Sequence, residues 1–152
     1  MVAKYYFRLI KLIVLTLLIF SPTTTLISNN MNKFDISLEE AFDLYNKKEI
    51  LIVDIRTETE WQMTGVIPNS ELINMHDNQH NERADFLKEI QILLNKNNDY
   101  NVSFICASGA RSEIVAKYFF DKGYKTISHI PDGIVGKNYN GWLYSDLPII
   151  SY

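Results

Sequence analysis

The sequence predicts an α/β fold: a single domain on a five-stranded, mainly parallel sheet with helices on both faces. Three observations carry this prediction. Short apolar runs alternate along the chain with segments whose apolar residues recur at helical spacing. The run Ile50 to Val53 is continuously apolar up to Asp54, as a strand covered on both faces requires. The helices between strand candidates supply the crossovers that parallel neighbours need. The 152 residues suit one domain, and 47% hydrophobic with 22% charged residues is the composition of a folded chain. One cysteine excludes an internal disulfide and a cysteine-based zinc site. A formal charge of -3 argues against a nucleic-acid surface.

Residues 1–30 differ in kind from the rest. They hold Lys4, Arg8 and Lys11 and no acid, so residues 31–152 carry 12 basic groups against all 18 acids, a net −6. Leu12 to Phe20 is apolar except for Thr16, and Pro22 and three Thr follow. A basic start, a short apolar stretch and a small polar stretch are the parts of a signal peptide. Nine residues of helix cover about 14 Å, short of a hydrocarbon core of about 30 Å. Residues 1–30 therefore read as a signal peptide, with an uncleaved signal anchor as the rival, and residues 31–152 as the domain. Both readings put the domain outside the cytoplasm: periplasmic or secreted, or anchored in the inner membrane. Membrane contact is expected only through an uncleaved leader.

Phe34 to Ile36 is a short strand candidate. Ser37 and Glu40 form a capping box that starts a helix carrying Leu38, Ala41, Phe42 and Tyr45 on one face. The strand Ile50 to Val53 ends in Asp54, and Glu58 to Met63 reads as one helical turn. Gly65, Pro68 and Asn69 mark turns before a weak strand, Glu71 to Ile73. Ala84 to Leu94 places Phe86, Leu87, Ile90, Leu93 and Leu94 on one helical face, and a polar loop follows to Asn101. Val102 to Ile105 is a strand. Ser112 to Asp121 is a helix with Ile114, Val115, Tyr118 and Phe119 on one face, closed by Gly123. Thr126 to Ile130 is the last strand. In such a sheet ligands bind at the carboxyl ends of the strands.

Cys106 stands at one of those ends. It is followed by Ala107, Ser108, Gly109, Ala110 and Arg111, and then by the helix from Ser112. A lone cysteine is most often a buried small hydrophobe, but position argues otherwise here. Gly109 frees the backbone, successive N–H groups of such a loop can converge as an anion nest, and the following helix adds its positive end. Both favour the thiolate, the nucleophilic form. Small neighbours leave nothing bulky to shield it.

The segment from Cys106 to Ser112 resembles the active-site loop of the rhodanese family, the thiosulfate sulfurtransferases. Three other segments agree. Val53-Asp54-Ile55-Arg56 with Glu60-Trp61 is similar to the family's D-x-R…E-[YW] signature. Gly65 to Ser70 is similar to its G-H-I-P-G-A turn, with Val66 in place of His and Asn69-Ser70 in place of Gly-Ala. Gly133-Ile134, Trp142 and Leu147-Pro148 are similar to its C-terminal G-G-[IVL]…W…L-P ending, with Asp132 in place of the first Gly and a longer stretch to Trp142. Together these span about residues 34 to 150 in the family's order.

The resemblance implies a rhodanese-like domain and covalent sulfur transfer. The Cys106 thiolate takes the sulfane sulfur of a donor such as thiosulfate as a persulfide, and a thiol or cyanide acceptor removes it. It implies no metal and no organic cofactor. The expected partners are a small sulfur-donor anion or persulfide and a thiol acceptor, either a small molecule or a protein. Four residues separate Cys106 from Arg111, whereas cysteine phosphatases carry C-x5-R, so the phosphatase reading ranks lower. Two further alternatives are a non-catalytic binding module, disfavoured by the retained cysteine, and a thiol-redox module forming mixed disulfides. Arg111 binds donor anions or serves as a structural ion-pair partner, and the structural role is preferred. Asp54 and Arg56 are expected to support the loop. Trp61 and Trp142 read as packing, and His76, His80 and His129, with no ligand spacing, as surface or satisfied core residues.

Overall fold

The computed structural model describes residues 34–77 and 79–152. The predicted leader lies outside the described residues. No helix among the described residues is long and apolar enough to cross a membrane.

Helix α1 (Leu38–Asn46) starts at Ser37, whose hydroxyl accepts the Glu40 N–H at 3.2 Å. Strand β1 (Ile50–Asp54) leads to α2 (Glu58–Thr64), capped by a full reciprocal box between Thr57 and Glu60. Then come β2 (Glu71–Leu72), α3 (Phe86–Lys96), β3 (Asn101–Ile105), α4 (Ala110–Asp121) and β4 (Ile127–His129). A 3₁₀ turn, Trp142–Tyr144, follows. All strand pairs are parallel, in the order β2-β1-β3-β4, with Asp54 facing Ile105 in register.

Four strands form where the sequence predicts five. Phe34 to Ile36 reaches the β4 edge but makes a single bridge, Asp35 to His129, with two backbone bonds: Ile36 N–H to the His129 carbonyl and His129 N–H to the Phe34 carbonyl. Ser37 starts α1 at once, so no further ladder can form.

Side chains alternate across the pleat and build two cores. On one face Val53, Ile55, Val102, Phe104 and Ile127 pack against α3 and α4. On the other Ile50, Ile52, Ile105 and Ile130 pack against α1 and Trp142. The buried stripe of α4 is Ser112, Val115, Ala116 and Phe119. It is rolled away from the predicted face, so Ile114 and Tyr118 are exposed. The Ser112 hydroxyl donates to the Gly109 carbonyl at 2.9 Å, and burying that bond fixes the roll. The chain end is tied back through paired backbone bonds between Val66 and Ile150.

The roll of α4 is testable. Phe119 is fully buried and stacks on Phe104, so Phe119→Ala is expected to cost about 3–5 kcal/mol in denaturant unfolding. Ile114→Ala is expected to change stability by no more than about 0.5 kcal/mol. Equal costs would contradict this register.

Candidate active site

The carboxyl end of β1 carries a fully buried ion pair. Asp54 accepts from Arg56 Nε at 3.0 and 2.9 Å, from Nη2 at 2.7 Å and from the Arg56 backbone N–H at 3.0 Å. The guanidinium also donates to the Gly65 carbonyl at 2.7 Å, to Thr64 Oγ1 at 2.6 Å and to the Glu60 carbonyl at 3.4 Å. Arg56 thereby closes the C-terminus of α2, where helix carbonyls lack partners. The sequence expects both residues to support the Cys106 loop; their hydrogen bonds run instead to each other and to α2 and Gly65.

Cys106 follows β3 and is 1% exposed. The loop after it is shaped from behind by the segment that follows β4. Ile134 N–H donates to the Cys106 carbonyl at 2.8 Å, and Val135 and Gly136 N–H donate to the Ala107 carbonyl at 2.9 and 3.0 Å. The Gly109 carbonyl receives Ser112 Oγ and the Glu113 N–H. With these carbonyls held, the N–H groups of residues 107–112 have no protein acceptor among the described residues. Such a run of free N–H groups at a helix start is an anion nest.

Two glycines make the close approach possible. Gly109 has φ +88, and a Cβ there would run into the Pro131 carbonyl oxygen. Gly133 has φ +67, and its Cβ would sit 2.7 Å from the Cys106 carbonyl oxygen. The departure at Asp132 is therefore harmless. The glycine kept is the one that touches the loop, and Asp132 instead accepts from Asn140 at 3.2 Å. In the longer stretch that follows, Gly136 has φ +81. The stretch ends on fully buried Trp142, whose Nε1 donates to the Pro148 carbonyl.

Arg111 is a structural ion-pair partner. Its guanidinium donates to both carboxylate oxygens of Glu60, at 3.0 and 2.6 Å. Glu60 in turn accepts the Thr57 N–H at 2.8 Å and hydroxyl at 2.9 Å. Burial raises the Glu60 pKa, but hydrogen bonds from Arg111 and Thr57 and the Arg111 charge overcome this and bring it to about 2. Burial disfavours the Arg111 cation, yet Glu60, and after it Cys106, outweigh that and lift its pKa above the ordinary value. Arg111 is thus within electrostatic reach of both Glu60 and the thiol. The pairing of Glu60 with Arg111 was not foreseen, although the Thr57-x-x-Glu60 capping signature was there to be read.

A mouth of about 460 Å³ opens beside this pair, lined in part by Glu60, Arg111, Met63, His76 and His80. The two histidines lie at the surface, as expected, on the cavity that Glu60 and Arg111 also line. His129 is a satisfied core residue: Nε2 lies 3.0 Å from Asp35 and Nδ1 3.5 Å from Ser112 Oγ. A larger groove of about 680 Å³ lies at the amino ends of β1 and β3, at the opposite end of β3 from Cys106. No group of three or more potential metal ligands occurs among the described residues.

Asp54→Ala would leave the Arg56 cation buried without its counter-ion and is expected to cost about 3–5 kcal/mol in unfolding measurements. The depressed pKa of Glu60 sets a pH dependence. Its contribution is full above about 4.5 and is lost as pH falls from there through about 2. Glu60→Gln should make the fall of stability over that window shallower, and an unchanged slope would refute the pairing.

The family described as Rhodanese-like domain matches residues 37–137. An uncharacterized protein of Rickettsia conorii is 32% identical over 122 residues, covering 78% of this chain and 98% of that protein. A sulfurtransferase of Allochromatium vinosum is 29% identical over 109 residues, covering 71% and 85%. Among solved structures, a rhodanese-related protein from Thermoplasma volcanium superposes with a TM-score of 0.58 at 24% identity, over 78% of this chain and 98% of that one, a likeness of fold. With the match spanning the cysteine loop, the buried Asp54–Arg56 pair and the glycine turn behind the loop, the chain belongs to the rhodanese-like domain family.

Proposed function

We propose that the protein is a sulfurtransferase that carries a sulfane sulfur on Cys106. One observation bears most of this reading: a cysteine at a strand end, set in a loop whose successive N–H groups lack protein acceptors. That cradle stabilises negative charge on the thiol sulfur or on the outer sulfur of a persulfide. The sulfurtransferase among the relatives supports it.

In the first step the Cys106 thiolate attacks the sulfane sulfur of thiosulfate. The new S–S bond forms as the donor's S–S bond breaks, and sulfite leaves with the electron pair. In the second step an acceptor thiolate or cyanide attacks the outer sulfur, and the Cys106 thiolate leaves into the same cradle. No external oxidant or reductant enters. The four-residue spacing to Arg111 disfavours the phosphatase alternative. The 1% exposure of Cys106 disfavours a mixed disulfide with a protein partner, which needs an accessible sulfur. A thiol acceptor meets the outer sulfur of the persulfide, one bond nearer the mouth.

The proposal includes export. It rests on the three bases before Leu12, the short apolar stretch to Phe20 and the absence of acids in residues 1–30.

Intact-mass analysis tests both parts. Purified protein incubated with thiosulfate should gain one sulfur atom, and Cys106→Ser should gain none and lose transfer to cyanide. No gain with any sulfane donor would overturn the transferase reading. Protein from the native source should lack the leader or remain with the membrane, and full-length protein in the cytoplasmic fraction would overturn export.

A further inference from the structure

Sulfur donors such as thiosulfate are anions, yet the fold gives an anion little attraction. Residues 31–152 carry a net −6, which repels anions at long range. The variable loop positions Ala107, Ser108 and Ala110 hold no cation. Arg111, the full cation lining the mouth, is held bidentately by Glu60 at 3.0 and 2.6 Å, so the pair is close to neutral. The persulfide nest accounts for the sulfur atom but not for the oxyanion end of a donor.

The opposite wall of the mouth supplies what is missing. Residues 75–77 pair with residues 81–83: Arg83 N–H donates to the Met75 carbonyl, Asp77 N–H to the Asn81 carbonyl, and His76 bridges Glu82. Arg83 anchors the base of this pairing through the Asn74 side chain at 2.6 Å and the Asn74 carbonyl at 3.1 Å. The Asp77 carboxylate is turned into the hairpin, accepting the N–H groups of Gln79 at 2.9 Å and Asn81 at 2.8 Å. Those bonds hold it within the hairpin, and it still lies within electrostatic reach of the His76 imidazole.

That turn holds His80 at φ +64, a left-handed conformation uncommon for a residue with a Cβ. Such strain persists where the surroundings enforce it, and it collects at functional sites. Both His76 and His80 line the mouth, and among the described residues neither imidazole has a hydrogen-bond partner. His129, by contrast, lies against Asp35 and Ser112.

We propose that His76 and His80 bind the oxyanion end of the sulfur donor, a small sulfur oxyanion such as thiosulfate, while the sulfane end enters the Cys106 nest. An imidazole donates an N–H to an oxyanion in either protonation state. The assignment rests on the sulfurtransferase reading for its ligand, and the hairpin then sets donor specificity while the loop performs the chemistry.

The test uses thiosulfate and the unreactive Cys106→Ser protein. The imidazole proton resonances of His76 and His80 should shift saturably on titration, while those of His129 stay in place. Substituting both (His76→Ala with His80→Ala) should weaken thiosulfate binding about tenfold, the effect of losing a hydrogen bond to a charged group. The same pair in the Cys106-intact protein should raise KM for thiosulfate by that factor, and replacing both by lysine should restore it. Unfolding curves on each variant check the hairpin. Absent shifts, or equal binding by the alanine pair, would overturn the site. Persulfide formation with a KM indifferent to these substitutions would overturn the site alone. Binding without persulfide formation in the intact protein would overturn the transferase reading and keep the site.

Discussion

The site depends on one backbone arrangement: the segment after β4 hydrogen-bonds to the carbonyls of the loop after β3. Ile134, Val135 and Gly136 bind the Cys106 and Ala107 carbonyls, and this orients the peptide planes. A peptide unit whose carbonyl is held outward presents its N–H inward, and several in succession make a pocket of positive potential without any charged side chain. The absence of cations at Ala107 and Ala110 is thus no obstacle to stabilising a sulfur anion. For the proposed sulfur transfer, it leaves recognition of the rest of a donor to groups outside the loop.

A second constraint comes from β1. The buried Asp54–Arg56 pair is isolated from water, so each charge is tolerable only because the other is present. Arg56 reaches the end of α2 and fixes its carbonyls, which places Glu60. The Glu60 backbone carbonyl meets Arg56, and its carboxylate meets Arg111. One residue thus joins two arginines and links the end of β1 to the helix that starts behind Cys106. The result is a wall on one side of the mouth, which also holds a hairpin whose histidine imidazoles have no hydrogen-bond partner among the described residues.

Most of the fold was legible because its signals are local. The Ser37 cap, the apolar run Ile50 to Val53 and the glycine after α4 each act within a few residues. So did the chemical centre: a cysteine at a strand end followed by small residues and a glycine needs no distant information to be recognised. The misses come from polar side chains whose bonds apolar spacing does not encode. The strand at Phe34 shrank to one bridge because Ser37 competed for the chain. The face of α4 was misjudged because a polar residue, Ser112, is buried by its bond to Gly109, and apolar spacing cannot anticipate that. The Glu60–Arg111 pair joins residues far apart in sequence, so the capping signature that held Glu60 in place did not reveal what its carboxylate would meet.

The sequence by itself determined the α/β architecture and the cysteine loop with its glycine, since each follows from spacing along the chain. Tertiary structure alone decided that Arg111 is engaged by Glu60, that Gly133 rather than its missing partner shapes the loop, and that His76 and His80 face the mouth. These are contacts between elements brought together by the parallel sheet. Their identity depends on how the helices roll and where the loops close, which no run of neighbouring residues encodes.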